Sequence, residues 1–194
     1  MISRTSGVAG RLLSVAFDSS IVTHNTLNSG DGAGIYNDQG SLELKASVVN
    51  LNTGYADGGG IYNNLGTVTL NETTVSGNVI SLGSGGGLLN DRGTMSVYNS
   101  TIRDNKASVN GGGIATNEGT LTVTGSTLSG NDATNGGGLV NGGGTATLAN
   151  LTISGNTVST TGGGIMNING SIDLLFATIV GNTAKWSMAV VSRH

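Results

Sequence analysis

The chain has 194 residues, 35 of them Gly and none Pro or Cys, and carries a formal net charge of −3. The lack of Cys excludes a disulfide framework, a thiol nucleophile and any Cys-ligated zinc or iron–sulfur centre. Eight basic against eleven acidic residues leave no footprint for nucleic acid or an anionic membrane, and a charged fraction of 10% is not that of a disordered chain.

Read from the start, the first apolar stretch is Leu12–Phe17, interrupted by Ser14 and stopped at Asp18. It is too short for a membrane-spanning helix. No long apolar core with a small-residue cleavage site follows Arg4 and Arg11, so no secretory signal peptide is expected. The chain is nevertheless compatible with being a piece of a longer secreted protein, because its first residues already read as part of a repeat. Val15, Phe17, Val22 and Asn25 fit the inward positions of a partial first coil or N-terminal cap over residues 1–25.

From there one pattern runs the length of the chain. An Asn recurs as Asn25, Asn52, Asn78, Asn105, Asn131, Asn156 and Asn182, at intervals of 25 to 27 residues. A Gly-rich triplet ends in an aliphatic residue at Ile35, Ile61, Leu88, Ile114, Leu139 and Ile165. Each is followed after five residues by Gly40, Gly66, Gly93, Gly119, Gly144 or Gly170, and the next Asn comes twelve residues later. Only the stretch from Asn to the next aliphatic residue varies in length, which confines insertions to one corner of the repeat.

Within the constant part, apolar residues alternate with a period of two. The rows are Leu42, Val68, Met95, Leu121, Ala146, Ile172; then Leu44, Leu70, Val97, Val123, Leu148, Leu174; then Val49, Val75, Ile102, Leu128, Ile153, Ile179. Such alternation predicts strands with one buried face. Three short strands and three corners per repeat cannot bury their own apolar face, but stacked copies can, with equivalent strands about 4.8 Å apart. The predicted fold is therefore all-β, a single-stranded parallel β-helix of about six full coils. It forms one domain over residues 1–194, with regular coils over 26–182. The crossover rule makes it right-handed. A stacked Asn at a corner can bond neighbouring coils through its amide. Asn37, Asn63, Asn90, Asn141 and Asn167 repeat the device, interrupted once by Thr116. After Asn182 the triplet fails, and residues 183–194, with Trp186, are either an irregular C-terminal cap or a truncated coil.

The motifs Gly58-Gly59-Gly60-Ile61 and Val75-Ser76-Gly77-Asn78 resemble the repeats of polymorphic outer membrane proteins. More broadly the chain is similar to the right-handed, pectate-lyase-like parallel β-helix repeat proteins of bacterial surfaces, including autotransporter passengers. The resemblance covers residues 13 to 182. It implies a non-catalytic extracellular or outer-membrane surface module, adhesin-like or a passenger or stalk segment. The partners implied are glycans or host and environmental surfaces, the chain being a monomer or part of a longer polypeptide. No cofactor is expected.

Several residues carry possible chemistry, each beside a plainer reading. Asp38 and Asp91 share a repeat position two coils apart, about 9.6 Å of rise, with Glu118 nearby, a spacing near that of an inverting glycosidase pair. The plainer reading is a tight turn before Gly. Asp31 and Asp57, on adjacent coils before the triplet, can hold Ca²⁺ or be ordinary turn residues. The Gly triplets lack a following Gly-Lys-Ser or Gly-Lys-Thr and do not read as a nucleotide site. His24 and His194 are the only histidines, and His24 stands at a corner where other coils have Gly. Finally, Thr67, Thr69, Thr94, Thr120, Thr122, Thr145 and Thr147, with Ser96, predict a two-column hydroxyl array similar to ice-binding faces, although Thr also simply suits a solvated strand. The functional expectations are thus a surface-binding module first, a carbohydrate-active enzyme second and an ice-binding protein third.

Overall fold

The structure, a computed structural model, describes residues 13–185. All its strands pair in parallel with the equivalent strand of the next coil, and no helix occurs among the described residues. The chain is a parallel β-solenoid. Three faces run its length. A seven-stranded Thr face joins Ser14–Asp18, Ser41–Lys45, Thr67–Asn71, Thr94–Tyr98, Thr120–Thr124, Thr145–Ala149 and Ser171–Leu175. A seven-stranded short face joins Ile21–Thr23, Val48–Asn50, Thr74–Ser76, Thr101–Arg103, Thr127–Ser129, Thr152–Ser154 and Thr178–Val180. A six-stranded groove face joins Ile35–Asp38, Ile61–Asn64, Leu88–Asp91, Ile114–Asn117, Leu139–Gly142 and Ile165–Ile168.

The register is the one the repeat predicts. Leu42 pairs with Val68, Val68 with Met95, and Val75 with Ile102 and then Leu128. All of these belong to a single core with near-zero exposure. Each of those side chains sits over its counterpart because like strands stack like rows. At the N-terminal end Val15 pairs with Leu42 and Val22 with Val49, and Phe17 and Val22 pack on the core.

Two features refine the expectation. The coil has a fourth short strand, not three strands only: Thr26–Leu27, Thr53–Gly54 and Val79–Ile80 form one small sheet, and Asp132–Asn135, Thr157–Thr161 and Thr183–Ala184 another. Bridges through Lys106 join the two. These strands lie in the length-variable segment, where the alternation is too brief to read. The second feature is how the coil turns. Left-handed residues mark the corners. Gln39, Leu65, Arg92, Glu118 and Asn169 form one such column, with φ between 52° and 58°. Isolated left-handed residues cost roughly 1–2 kcal/mol each for side chains other than Gly, and stacking of the flanking strands offsets this.

Ladders of polar side chains hold the corners. Asn78 shows the pattern. Its Oδ1 accepts from the backbone N–H and the amide of Asn52 at 3.0 and 2.9 Å. Its Nδ2 donates to Val49 O at 3.0 Å and to Asn105 Oδ1 at 2.9 Å. Both donor hydrogens and both lone pairs are used, so a fully buried carboxamide is fully satisfied. Asn105, Asn131 and Asn156 repeat the arrangement. A buried hydroxyl column, not foreseen from sequence, serves the corner between the Thr and short faces: Thr73 N donates to Ser100 Oγ, and Ser100 N to Ser126 Oγ, at 3.0 and 3.1 Å.

The triplets close the remaining corner by contact. A Cβ on Gly59 would lie 2.4 Å from Gly86 O, and one on Gly60 2.5 Å from Gly87 O, so successive coils touch backbone to backbone there. Gly58, at φ 69°, lies against Tyr62 instead. No helix among the described residues is long and apolar enough to cross a membrane.

Candidate functional site

Along the groove face, residues one past each inward aliphatic point outward: Tyr36, Tyr62, Leu89, Ala115, Val140 and Met166 occupy one column in register. Although outward, Tyr62, Leu89 and Ala115 are buried and pack together as a small cluster. The left-handed Gly of each triplet presses on this column, and the stacked corner loops before it rise as a wall. The other wall is the column two residues further on, Asp38, Asn64, Asp91, Asn117 and Gly142, with the corner residues after it. Between them lies an open cleft of about 580 Å³ that runs from Asp57 and Tyr62 to Ile168 and Asn169.

Its N-terminal end is polar and aromatic. Tyr62 lines this end, and Tyr36, one coil before it and outside the lining, packs tilted against it, with centroids 5.1 Å apart at 45°. The Tyr62 hydroxyl donates to Asp91 Oδ2 at 3.4 Å. Asp91 also accepts from Arg92 Nη2 at 3.0 Å and from Asn117 Nδ2 at 3.1 Å. Asn64 Nδ2 donates to Asp38 Oδ1 at 2.8 Å. Burial, with Asp91 and Asp31 nearby, holds the Tyr62 phenol protonated well above the usual tyrosine range. Asp57 is also raised, chiefly by burial and then by Asp31 and Asp91, against the opposing N–H of Ser84. The bond to Asp91 raises Arg92. At its far end the cleft is lined by Val140, Gly142 and Ile168, with Glu118 beside Gly143 as the charged group there.

The structure distributes the sequence candidates as follows. Asp91 and Glu118 line the cleft, and Asp57, considered from sequence only as a cation ligand, joins them; Asp38 does not line it. Asp38, Asn64 and Asp91 occupy one register position on consecutive coils. Asp31 Oδ1 accepts from Asp57 N at 3.1 Å, and Asp57 Oδ1 from Ser84 N at 2.6 Å, so each carboxylate spends an oxygen joining its coil to the next. Among the described residues no three His, Cys, Asp or Glu converge to hold a metal ion. His24 is an exposed corner residue at φ 55°, its Nδ1 2.8 Å from Thr23 Oγ1. Trp186 and His194 lie outside the described residues.

The Thr array is in register: Thr67, Thr94, Thr120 and Thr145 form one outward column, and Thr69, Ser96, Thr122 and Thr147 the next. The short face adds a further column, Thr74, Thr101, Thr127, Thr152 and Thr178, which the sequence reading passed over. The tyrosine pair was also missed. Its signal was present, since two aromatic residues follow the inward aliphatic on consecutive repeats.

Comparison of the chain with protein-family models, with curated proteins and with solved structures finds no match.

Proposed function

We propose that this solenoid is a non-catalytic module of an extracellular or outer-membrane surface, adhesin-like or a passenger or stalk segment, and that its groove face holds extended glycans. The observation that carries the reading is the cleft. It combines an apolar floor with walls of carboxylate and carboxamide groups, the pairing that engages the C–H faces and hydroxyl edges of sugars. The repeat motifs that resemble polymorphic outer membrane proteins support the surface setting. The test is a glycan array with the intact chain, alongside a variant carrying Leu89→Lys and Val140→Lys to fill the cleft. Glycan signal that the variant loses is the expected result; no signal above the variant overturns it. Asp57, Asp91 and Glu118 share the cleft, so shortening of a bound polysaccharide on incubation would replace the binding module by the enzyme reading.

The Thr columns support a second reading, ice binding, because two outward rows of hydroxyls repeat at the strand spacing over four coils. Thermal hysteresis with faceted ice crystals is its expected result. Unchanged freezing and round crystals at high protein concentration remove it.

A further inference from the structure

We infer that the tyrosine end of the groove is a subsite for an amino-sugar unit carrying a free ammonium, within an extended glycan; this rests on the glycan reading above and names its chemistry. The first argument is charge complementarity. Among the described residues Asp57, Asp91 and Glu118 line the cleft and no Lys or Arg does. Arg92 stands beside it but is bound to Asp91 at 3.0 Å. Asp31 lies beside Asp57, and Asp38 shares the wall position of Asp91, so among the described residues the groove face gathers five of the eleven acidic residues and one of the five basic ones. A partly desolvated site of that sign favours a cation over a neutral or acidic ligand. Burial first, and after it the neighbouring carboxylates Asp31 and Asp91, raises both Asp57 and Tyr62.

The second argument is shape. Tyr36 lies one coil before the cleft, 42% exposed and tilted against the lining Tyr62, so it offers an aromatic face to a sugar ring that extends past that end and to an ammonium group beside it. Each coil advances the floor by about 4.8 Å, close to the length of one pyranose unit in an extended chain, so successive sugars meet equivalent positions. A basic peptide fits less well. The N–H and C=O groups of these strands are spent on the parallel ladders, so a peptide strand has no edge to extend here.

The experiment is titration calorimetry on the intact chain with three probes: a short β-1,4 glucosamine oligomer, its N-acetylated counterpart and oligolysine of equal length. The expected result is that the glucosamine oligomer binds at least about tenfold more tightly than either other probe, with affinity falling at high salt. Asp57→Asn with Asp91→Asn should reduce that preference about tenfold. If the double variant fails to fold, Tyr36→Ala should weaken glucosamine binding while the melting temperature holds. Equal binding of the two glycans overturns this inference and leaves the glycan reading standing. Binding of neither overturns this inference, and an array without signal then overturns the glycan reading as well. Oligolysine binding as tightly as glucosamine overturns the sugar assignment.

Discussion

Two asparagine ladders run side by side through this solenoid, and only one is complete. The ladder from Asn25 to Asn182 has an Asn in every coil, and each buried amide finds all its partners. The ladder from Asn37 to Asn167 is interrupted by Thr116. Elsewhere in that row the amide donates to the next Asn and to the Gly three residues on, as Asn63 does to Asn90 Oδ1 at 2.8 Å and to Gly66 O at 2.9 Å. Thr116 has no amide to pass along, and the buried Oδ1 of Asn141 in the next coil is left without a partner. The cost of one substitution thus falls on the neighbouring coil. A ladder residue serves the coils on both sides, so its worth is not measured by its own contacts.

The comparison can be broken most severely in the intact ladder. Asn105→Ala strips partners from Asn78, Val75 O and Asn131 at once. With about 1–3 kcal/mol for each buried group left unsatisfied, we expect a loss of about 3–5 kcal/mol in chemical denaturation. The interrupted ladder can be mended instead. Thr116→Asn supplies the missing donor at a site where the preceding and following coils already hold Asn, and should add about 1–2 kcal/mol. If it does not, the orphan oxygen is not the weak point.

The corners beside the ladders give a smaller effect. Leu65 is half-exposed at φ 57°, and Leu65→Gly should gain about 0.5–1 kcal/mol, because relief of left-handed strain exceeds the added freedom of the unfolded chain. The smallest effect is electrostatic. Asp57 faces Asp31, Asp91 and the Tyr62 hydroxyl, and its folded pKa is raised mainly by burial. Its charge therefore destabilises the fold above that raised value, and the penalty fades as pH falls toward the ordinary carboxylate range near 4. Asp57→Asn keeps an acceptor for Ser84 N–H, so it should melt higher than the parent at neutral pH, with the gap closing in acid. A constant gap across pH would show that the carboxylate charge is not the cause.

Much of this was legible in the residues. The Asn interval and the aliphatic rows gave the coil length and the register of Val75 on Ile102 on Leu128, because a stacked residue must resemble what lies above and below it. Asp38 and Asp91 were correctly placed at one position. The pairing that lines the cleft was not legible: it joins Asp91 to Asp57, which lies in the length-variable corner. The fourth strand and the Thr73–Ser126 hydroxyl column were too short or too mixed to stand out.

By itself, then, the amino-acid order determined everything that repeats along the axis: the solenoid, its register, its core and its ladders, since translational stacking writes itself into the chain as a period. What lies across the axis was decided only in three dimensions. The burial of outward-facing Tyr62, Leu89 and Ala115, and the gathering of carboxylates from two walls into one cleft, depend on how loops of unequal length fold beside a strand face. No period records the distance between two corners of the same coil.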